Sequence, residues 1–546
     1  MDRKRCALVS VYNKVGMVAD VQRLVNLGWT IFGSRGTVKE LSAVGLPAID
    51  VAGLVGGGPI LGHRVVTLSR EVHAALLADA LKPEDLAELM EKCIPFIDLV
   101  RCDFYPLREA ITNAAGLERQ AAIDLVVEKT DIGGPCMVRS GAKGLRVVVC
   151  RKQDMEAVLQ ELEATGDVSL ATRQELRWRA EAEVGKYVCL SAEFQSDGKF
   201  RSIHGERFAQ CKYGENAWQT PAEIFNGGGD HPLAIHNFQL IEGTGLSWNN
   251  YCDLDRLLQT LTHMCAGHFK NFNIVQAAGV GVKHGNACAA AQKRDALDTV
   301  YAVARGDRRA IFGGSVIFNF ELNGSFAEAL AKEAASNGQE KQLFDMVVAP
   351  SFTPQAVEEL KRKSDKCRLV VNPALSNKAY MLDARPRFRY FFGGDFGVQS
   401  NYTYVLDLND PELQSYGPSC PPGYKPGVIL SWAVAATSNS NTITIVEDDG
   451  LWGNGVGQQD RVGACELAVK RGLDAGHKAG GIGLISCSDS FFPYPDAVQV
   501  LIDAGVKLIF APSGGRNAEL VQRLCVEKGV TLLQLPDAKC RGFFGH

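Results

Sequence analysis

Apolar residues near the amino terminus alternate between strand-like runs and helical spacing. The run at 6–11 predicts a short strand, and apolar positions three or four apart over 14–27 predict a helix. A second run at 29–32 predicts another strand, and the polar stretch 33–37 opens a second helix through about Val44. Strands that alternate with helices produce a parallel sheet, so the pattern indicates an α/β fold.

The same alternation continues to about residue 200. Residues 96–104 predict a strand, a glycine turn at 128–135 precedes a short helix, and residues 145–150 predict a further strand. A charged helical region at 154–188 follows, and we interpret it as the bridge to a second unit beginning near residue 200. A chain of 546 residues is long enough for several domains.

A third pattern lies in the middle of the chain, where the apolar run 274–282 predicts a buried strand that ends at Lys283 and His284. Strand ends of α/β sheets are where ligand crevices form. Adjacent Lys and His side chains place a cation beside a near-neutral base, which suits proton movement between a nucleophile and a leaving group. The alternative is a surface dipeptide in a loop, because short motif matches are common.

Two stretches of the first part offer anion contacts. Ser34 and Thr37 stand at the start of a predicted helix, where free backbone N–H groups and hydroxyls suit a phosphate. Ordinary helix capping explains them equally well. Arg64 could bind a phosphate through two parallel hydrogen bonds, or could be an exposed structural arginine. Asp131 in the glycine turn is either functional or a helix cap.

Composition narrows the function classes. The net charge of −4 shows no basic excess, so we expect no nucleic-acid and no membrane partner. The 16 cysteines are scattered without a Cys-x-x-Cys pair, which favours free thiols of a reducing compartment and no metal site. The first apolar run is too short for a signal peptide, and no stretch reaches about 18 apolar residues. We therefore expect a cytoplasmic protein.

An ordered set of short motifs runs through nearly the whole chain. In the first part the stretches are 34–37, 64–68, 105–106, 131–134 and Lys143. In the second part they are 212–216, 246–250, 283–284, 312–314, 348–350, 438–440, 455–459, 488–493 and 511–515. In this order the set resembles the bifunctional purine-biosynthesis family that carries AICAR transformylase and IMP cyclohydrolase activities.

The resemblance implies an α/β protein in two parts. Residues 1–200 would form an IMP cyclohydrolase-like domain similar to methylglyoxal synthase, with a parallel sheet. Residues 201–546 would form the AICAR transformylase domain, made of two subdomains similar to cytidine deaminase but without its zinc. Relatives are homodimers whose transformylase sites draw residues from both subunits, so a homodimer is the implied assembly.

The implied reaction of the second domain is formyl transfer from the co-substrate 10-formyltetrahydrofolate to the 5-amino group of AICAR, which gives formyl-AICAR. The amine must lose a proton as it attacks, and His284 suits a general base while Lys283 suits a donor to the oxyanion or leaving nitrogen. Asn439 would hold the formyl oxygen or carboxamide, and Asp489 would orient the folate. The nucleotide would be bound by Lys212, Tyr213, Gly214 and Arg541. For Asn439 and Asp489, a turn or cap role is the alternative.

The first domain departs from the family pattern at the residues that close the ring to IMP. The lysine expected in the stretch 64–70 is Val66, and a glycine expected in the phosphate loop is Arg35. A valine cannot carry charge or donate a proton. The residues that remain are Lys14, Ser34, Thr37, Arg64, Thr67, Tyr105, Asp131 and Lys143. The sequence thus predicts formyl transfer with weakened or lost ring closure.

Two other functions compete with this interpretation. A catalytically idle scaffold or sensor that binds a purine nucleotide fits Val66 and Arg35, but Lys283 and His284 argue against it. A zinc deaminase needs a His-x-Glu motif followed by Cys-x-x-Cys. The stretch 204–206 reads His-Gly-Glu, yet no Cys-x-x-Cys follows.

Overall fold

The computed structural model describes residues 3–55, 60–61, 65–333, 335, 341–363, 366–377, 382–478 and 483–545. The chain forms two compact units, Met1–His204 and Gly205–His546. No helix within the described ranges is long and apolar enough to cross a membrane.

The first unit is built on a five-stranded parallel sheet in the order β3-β2-β1-β4-β5. Its strands are β1 Cys6–Ser10, β2 Thr30–Gly33, β3 Ile49–Asp50, β4 Leu99–Cys102 and β5 Val147–Val149. Its helices are α1 Met17–Asn26, α2 Arg35–Ala43, α3 Arg70–Leu77, α4 Pro83–Glu91, α5 Leu107–Asn113, α6 Arg119–Glu128, α7 Gly133–Lys143, α8 Lys152–Thr165 and α9 Leu170–Gln195.

Apolar side chains of α1, α2 and α8 cover one face of this sheet, and those of α3 and α7 cover the other. Burial of both faces explains the uninterrupted apolar runs of the central strands. The helical region predicted as one segment is two helices. Gly166 ends α8 with φ of 78°, and the Ser169 side chain accepts from the N–H of Thr172 at the start of α9.

The second unit contains a twelve-stranded mixed sheet in the order β16-β21-β20-β19-β17-β18-β10-β9-β11-β12-β13-β8. Its first half consists of β6 Glu206–Cys211, β7 Ala222–Asn226, β8 Gln239–Glu242, α10 Trp248–Phe272, β9 Ala277–Lys283, β10 Asn286–Lys293, α11 Ala296–Ala304, β11 Ser315–Phe318, α12 Gly324–Glu333, β12 Met346–Ala349, α13 Pro354–Leu360 and β13 Arg368–Val371. Strands β6 and β7 form a separate two-stranded sheet.

A hairpin of β14 Arg387–Tyr390 and β15 Phe396–Gln399 separates the two halves. The second half consists of β16 Gln414–Tyr416, α14 Lys425–Ala436, β17 Ile443–Glu447, β18 Gly450–Gly455, α15 Arg461–Asp474, β19 Leu484–Ser488, α16 Pro495–Asp503, β20 Val506–Ser513, α17 Ala518–Glu527, β21 Thr531–Pro536 and α18 Asp537–Cys540.

The two halves repeat one arrangement and meet where β10 pairs with β18, which we call the seam. Each half supplies one long helix, α10 or α14, to the same face of the sheet, where the two helices share one core with the strands. Every residue of α14 from Gly427 to Ala436 is buried, as expected of a helix that is apolar on nearly all sides. Helices α11–α13 and α15–α17 cover the opposite face.

Candidate active site

Lys283 and His284 lie at the turn between β9 and β10. Lys283 pairs with Asn286 across the hairpin, and the two turn residues His284 and Gly285 have φ of 54° and 68°. Positive φ at both positions is typical of a type I′ turn, which fits the twist of the strands. His284 is exposed, whereas Lys283 is half-buried and its Nζ donates to the carbonyl of Phe312. The predicted strand that ends at this pair is therefore present.

A carboxylate of helix α10 secures this turn. Oδ1 of Asp253 accepts from the backbone N–H of Gly285 at 3.0 Å, and Oδ2 accepts from the hydroxyl of Ser315 at 3.0 Å. Burial raises the pKa of Asp253, and the two donors and the neighbouring His284 act in the opposite direction. Asp253 therefore holds the backbone directly after His284.

Asn439 lies on the exposed loop after α14, and a residue of α10 holds it as well. Nη2 of Arg256 donates to Oδ1 of Asn439 and to the carbonyl of Phe544, both at 3.1 Å. Asp253 and Arg256 are three positions apart in one helix, so their side chains lie on neighbouring parts of its surface. Helix α10 thus contacts both the Lys283–His284 turn and the Asn439 loop.

The seam provides a second link between the same two segments. Nδ2 of Asn454 in β18 donates to the carbonyl of Ala287 in β10 at 3.0 Å. Three residues beyond Asn454, the N–H of Gly457 donates to the carbonyl of Asn439 at 3.1 Å. The structure therefore brings Lys283, His284 and Asn439 to one end of the seam.

Two guanidinium groups enclose the ring of Phe544 beside Asn439. The Arg387 carbon Cζ lies 3.4 Å from the ring centroid and that of Arg256 lies 4.6 Å from it. Burial lowers the pKa of Arg256 to about 10, and the nearby Asp255 opposes that effect. The site is therefore rich in cations, as a site for an anionic nucleotide requires.

Asp489 follows β19 and is only 2% exposed. Its Oδ1 pairs with Nη1 of Arg461, which also donates to Ser488 at 3.2 Å, while Nη2 of Arg461 donates to Asn441 at 3.0 Å. Oδ2 of Asp489 is buried and has no hydrogen-bond partner among the described residues. The carboxylate therefore faces the protein interior beside the Asn439 loop.

The four residues predicted to bind the nucleotide lie on two segments of the second unit. Lys212 and Tyr213 are exposed on the loop between β6 and β7, where the N–H of Gly214 donates to Gln219 at 2.9 Å. Arg541 follows α18, bonds to Asp537 at 2.9 Å, and lies 5.8 Å from the ring of Phe491. The N–H of the next residue, Gly542, donates to the carbonyl of Asp489 at 3.2 Å, which puts Arg541 beside the Asp489 segment.

The first unit gathers a separate polar cluster after the carboxyl ends of β1, β2 and β4. Nζ of Lys14 donates to the hydroxyl of Thr37 at 2.9 Å, and the hydroxyls of Ser34 and Thr37 lie 3.2 Å apart. Burial lowers the pKa of Lys14. Arg35 is the first residue of α2 and is exposed. The predicted phosphate loop therefore begins a helix and has a lysine beside it.

Tyr105 and Asp131 extend this cluster. Oδ1 of Asp131 accepts from the N–H of Gly134 at 3.0 Å, and the N–H of Asp131 donates to the hydroxyl of Tyr187 at 2.8 Å. Burial raises the pKa of Asp131. Burial also raises the pKa of Tyr105, and the nearby Asp131 carboxylate raises it further. Tyr105 packs edge-on against Tyr12 at 5.7 Å between ring centroids. These contacts join the β1 and β4 ends of the cluster.

The remaining predicted residues of the first unit fall in three places. Thr67 lies against the start of α7, because a Cβ added at Gly133 would be 2.7 Å from its hydroxyl. Lys143 ends α7, about 15 Å along the helix axis from the Asp131 end. Arg64 lies outside the described residues. Val66 is half-buried and packs on the apolar core.

Sequence reasoning missed Asp253, Arg256, Arg387, Arg461 and Phe544. Each is an ordinary helix, strand or terminal residue by sequence, and its role depends on a partner far along the chain. Asp253 and Arg256 do follow directly after the motif at 246–250, and this is the one signal that could have found them. Among the described residues, no group of three or more His, Cys, Asp and Glu side chains is placed to hold a metal ion.

The fold and the comparisons with known proteins define the class and then the family. Residues 16–136 match the model of the MGS-like domain, so the parallel sheet of the first unit is of that class. Residues 143–471 match the model described as AICARFT/IMPCHase bienzyme. The chain belongs to the AICARFT/IMPCHase bienzyme family, and the α/β fold class predicted from the sequence is confirmed.

Relatives from distant bacteria agree with this assignment. The chain is 30% identical to the bifunctional purine biosynthesis protein PurH of Persephonella marina, over 95% of this chain and 96% of that protein. It is also 30% identical to PurH of Mycobacterium marinum, over 97% and 96% of the two chains. PurH of Staphylococcus saprophyticus is 29% identical over 93% and 94%. The resemblance inferred from the motifs is thus confirmed, and the chain is an enzyme of a purine-biosynthesis family.

Proposed function

We propose that this enzyme transfers a formyl group from 10-formyltetrahydrofolate to AICAR in the domain 201–546, and that the domain 1–200 closes formyl-AICAR to IMP slowly or not at all. The observation that carries the first half is the Lys283–His284 turn. It presents an exposed imidazole beside a half-buried ammonium on a backbone fixed by Asp253. Positioned acid and base groups of this kind typically contribute about 10²–10⁴-fold to a rate.

In the proposed reaction the amino group of AICAR attacks the formyl carbon, and His284 accepts the proton that the amine loses. If Lys283 donates to the oxyanion, His284 passes its proton to the departing folate nitrogen. If Lys283 itself protonates that nitrogen, the proton on His284 restores Lys283, so the proton balance closes within the pair in either case. The bond between the formyl carbon and the folate nitrogen breaks, which releases tetrahydrofolate. Asn439 supports the formyl oxygen through its amide nitrogen, because Arg256 already occupies the amide oxygen.

Binding of the two substrates uses the surrounding groups. Lys212, Tyr213, Gly214 and Arg541 are proposed to bind the nucleotide, and the exposure of Lys212 and Tyr213 supports contact with a ligand. Asp489 is proposed to orient the folate. Because its carboxylate is buried against Arg461, it would do so through the segment it holds in place, and direct contact is not supported.

Slow ring closure follows from what the first unit keeps and what it has exchanged. Lys14, Ser34 and Thr37 retain the hydrogen bonds of a phosphate site, and Tyr105 and Asp131 remain together. The side chain of Val66 packs on the apolar core and offers no proton or charge. These observations also support the second candidate for this unit alone, which is nucleotide binding without catalysis.

We also infer that two copies of the chain associate, as the family resemblance implies. Four apolar side chains on one face of the β14–β15 hairpin are exposed, namely Phe388, Tyr390, Phe396 and Val398. Aromatic side chains bury about 150–250 Å² each, and such uncovered apolar patches mark interaction sites. A second copy of the chain brings an identical uncharged face that can pack against the first.

Sedimentation velocity should show a dimer that the double change Phe388→Ser with Tyr390→Ser weakens. A monomer at all concentrations would contradict this inference. The cytoplasmic location remains a prediction.

The experiment that tests the main proposal is release of tetrahydrofolate by purified protein given AICAR and 10-formyltetrahydrofolate. A reaction without AICAR controls for simple hydrolysis of the donor. We expect release that depends on AICAR and yields formyl-AICAR in equal amount. Release that is the same with and without AICAR would contradict formyl transfer.

A further inference from the structure

The geometry points to Asp253 as the positioning residue of the formyl-transfer site, which holds His284 through the adjacent peptide and stabilises the imidazolium that forms when His284 takes the proton. This inference rests on the proposed function. Asp253 is the second-turn residue of a helix of 25 residues, so its backbone is anchored in the core of the second unit. The turn that it bonds is a surface hairpin, and the bond from Gly285 to Asp253 ties this hairpin to the helix.

The hydrogen bonds explain why this position needs a carboxylate. One oxygen accepts from a backbone N–H and the other from a hydroxyl, at 3.0 Å each, so both lone-pair sets are directed. Ser315 begins β11, which pairs with β9, and the two bonds therefore tie helix, hairpin and sheet together. Carboxylates that accept from N–H and O–H groups make stronger hydrogen bonds than neutral acceptors.

The backbone of His284 adds a reason for holding this peptide. A residue other than glycine with φ of 54° is uncommon, and it persists where surrounding contacts fix it. Gly285 follows with φ of 68°, and its N–H donates to Asp253 of α10. By accepting from that N–H, Asp253 determines where the imidazole projects.

Electrostatics supplies the second role. The Asp253 carboxylate lies beside the peptide that follows His284, because its Oδ1 accepts from the N–H of Gly285 at 3.0 Å. The charge of His284 lowers the pKa of Asp253 against the effect of burial. An anion fixed beside a base favours its protonated form. The other titratable groups that surround the pair are Lys283 in β9, Cys252 in α10, Cys288 in β10 and Asp345 before β12. Lys283 and Asp345 have opposite charges, and burial raises the pKa of both thiols, which leaves Asp253 as the anion that bonds to the turn.

Three variants separate these roles. Asp253→Asn keeps an acceptor for Gly285 but removes the charge, Ser315→Ala keeps the charge but removes one donor, and Asp295→Asn is the matched control. Asp295 is also a carboxylate that accepts from two N–H groups at a helix start, at 2.8 and 3.1 Å, but it caps α11. Unfolding temperatures of all three report whether the fold is intact.

The decisive readout is the pH dependence of kcat for formyl transfer. We expect Asp253→Asn to lower kcat about 10–10²-fold with little change in KM, and to move the acidic limb of the profile to lower pH. Ser315→Ala should lower kcat less and leave the limb in place, and Asp295→Asn should change neither. An unmoved limb in Asp253→Asn would overturn the inference even if kcat fell. Inactive native protein would instead contradict the proposed function.

Discussion

The two polar clusters of this enzyme differ in how their charged groups are used. At the end of the seam, His284 is exposed, the carboxylate of Asp253 accepts from the peptide N–H that follows it, and the guanidinium of Arg256 donates to Asn439. In the first unit, Lys14 and Thr37 bond to each other, and an apolar residue, Val66, packs on the core at the position where the family resemblance predicts a lysine. The first unit thus keeps hydrogen bonds that suit a phosphate, while we propose that it lacks a cation needed for ring closure.

The largest effect is expected from His284→Ala, which removes the base but no contact that supports the fold. Formyl transfer should fall about 10²–10⁴-fold while the unfolding temperature is unchanged, as stopped-time assays of tetrahydrofolate release and thermal unfolding would measure. Lys283→Ala should be comparably damaging. Cys288→Ser is the control, because Cys288 is a buried thiol of β10 that packs in an apolar core, and the carbonyl of Gly281 is the hydrogen-bond partner of its Sγ. Near-normal turnover of His284→Ala would contradict the assignment of His284 as the general base.

The buried charges behind the second site should matter next most, through stability. The side chains of Arg461 and Asp489 are 9% and 0% exposed, so Asp489→Ala leaves a buried guanidinium without its counter-ion. Such a loss costs about 3–5 kcal/mol of unfolding free energy, which urea denaturation followed by tryptophan fluorescence would measure. The double change Asp489→Leu with Arg461→Met should recover much of it. Asp474→Ala, which breaks an exposed pair with Lys470, is the control, and equal losses in both would contradict the burial argument.

Restoring the missing cation in the first unit should sharpen the comparison. Val66→Lys with Arg35→Gly should raise IMP formation from formyl-AICAR about 10–10²-fold, since one positioned charge typically contributes that much or more. The formyl-transfer rate should stay nearly constant, because the two sites lie in separate compact units and sites that share no partners behave roughly independently. Both rates can be read from one reaction by separating formyl-AICAR and IMP chromatographically. Unchanged IMP formation would show that Tyr105 and Asp131 do not need a cation at position 66.

The smallest effect concerns Asp131 and the pH dependence of stability. Burial raises its folded-state pKa. The folded protein therefore binds the proton more tightly than the unfolded chain, in which the pKa of an aspartate is about 3.9. Its stabilising contribution is therefore complete below that value and declines as the pH rises through the raised pKa. Asp131→Asn lacks this decline, so its unfolding temperature relative to the native protein should be higher at pH 7 than at pH 4. The opposite trend would contradict the sign of the shift.

Sequence patterns predicted the elements of the first sheet well and the supports of the second site poorly. The strand predicted at 6–11 is Cys6–Ser10, and the helix predicted at 14–27 is Met17–Asn26, because alternation and helical spacing are local properties. The break between α8 and α9 was missed although Gly166 and Ser169 are ordinary cap residues. Arg461 and Asp489 could not be paired from sequence, since they are 28 residues apart and meet only when α15 packs on the sheet.

The site predictions divide in the same way. Adjacent residues at a strand end, Lys283 and His284, could be predicted because one local pattern contains both. Asp253 contacts Gly285 across 32 positions and Arg256 contacts Asn439 across 183, so no local pattern reveals either contact. A motif match can also group residues that are separated in the fold. It grouped Lys143 with Asp131, and the two lie at opposite ends of α7.

The measurement that tests the contrast between the two sites most directly is the ratio of IMP formed to tetrahydrofolate released by the unmodified protein in a single reaction with AICAR and 10-formyltetrahydrofolate. The account predicts a ratio well below one at early times, with formyl-AICAR accumulating in the difference. A ratio of one from the earliest time points, with no detectable formyl-AICAR, would contradict it and would show that the first unit closes the ring as fast as the second supplies its substrate.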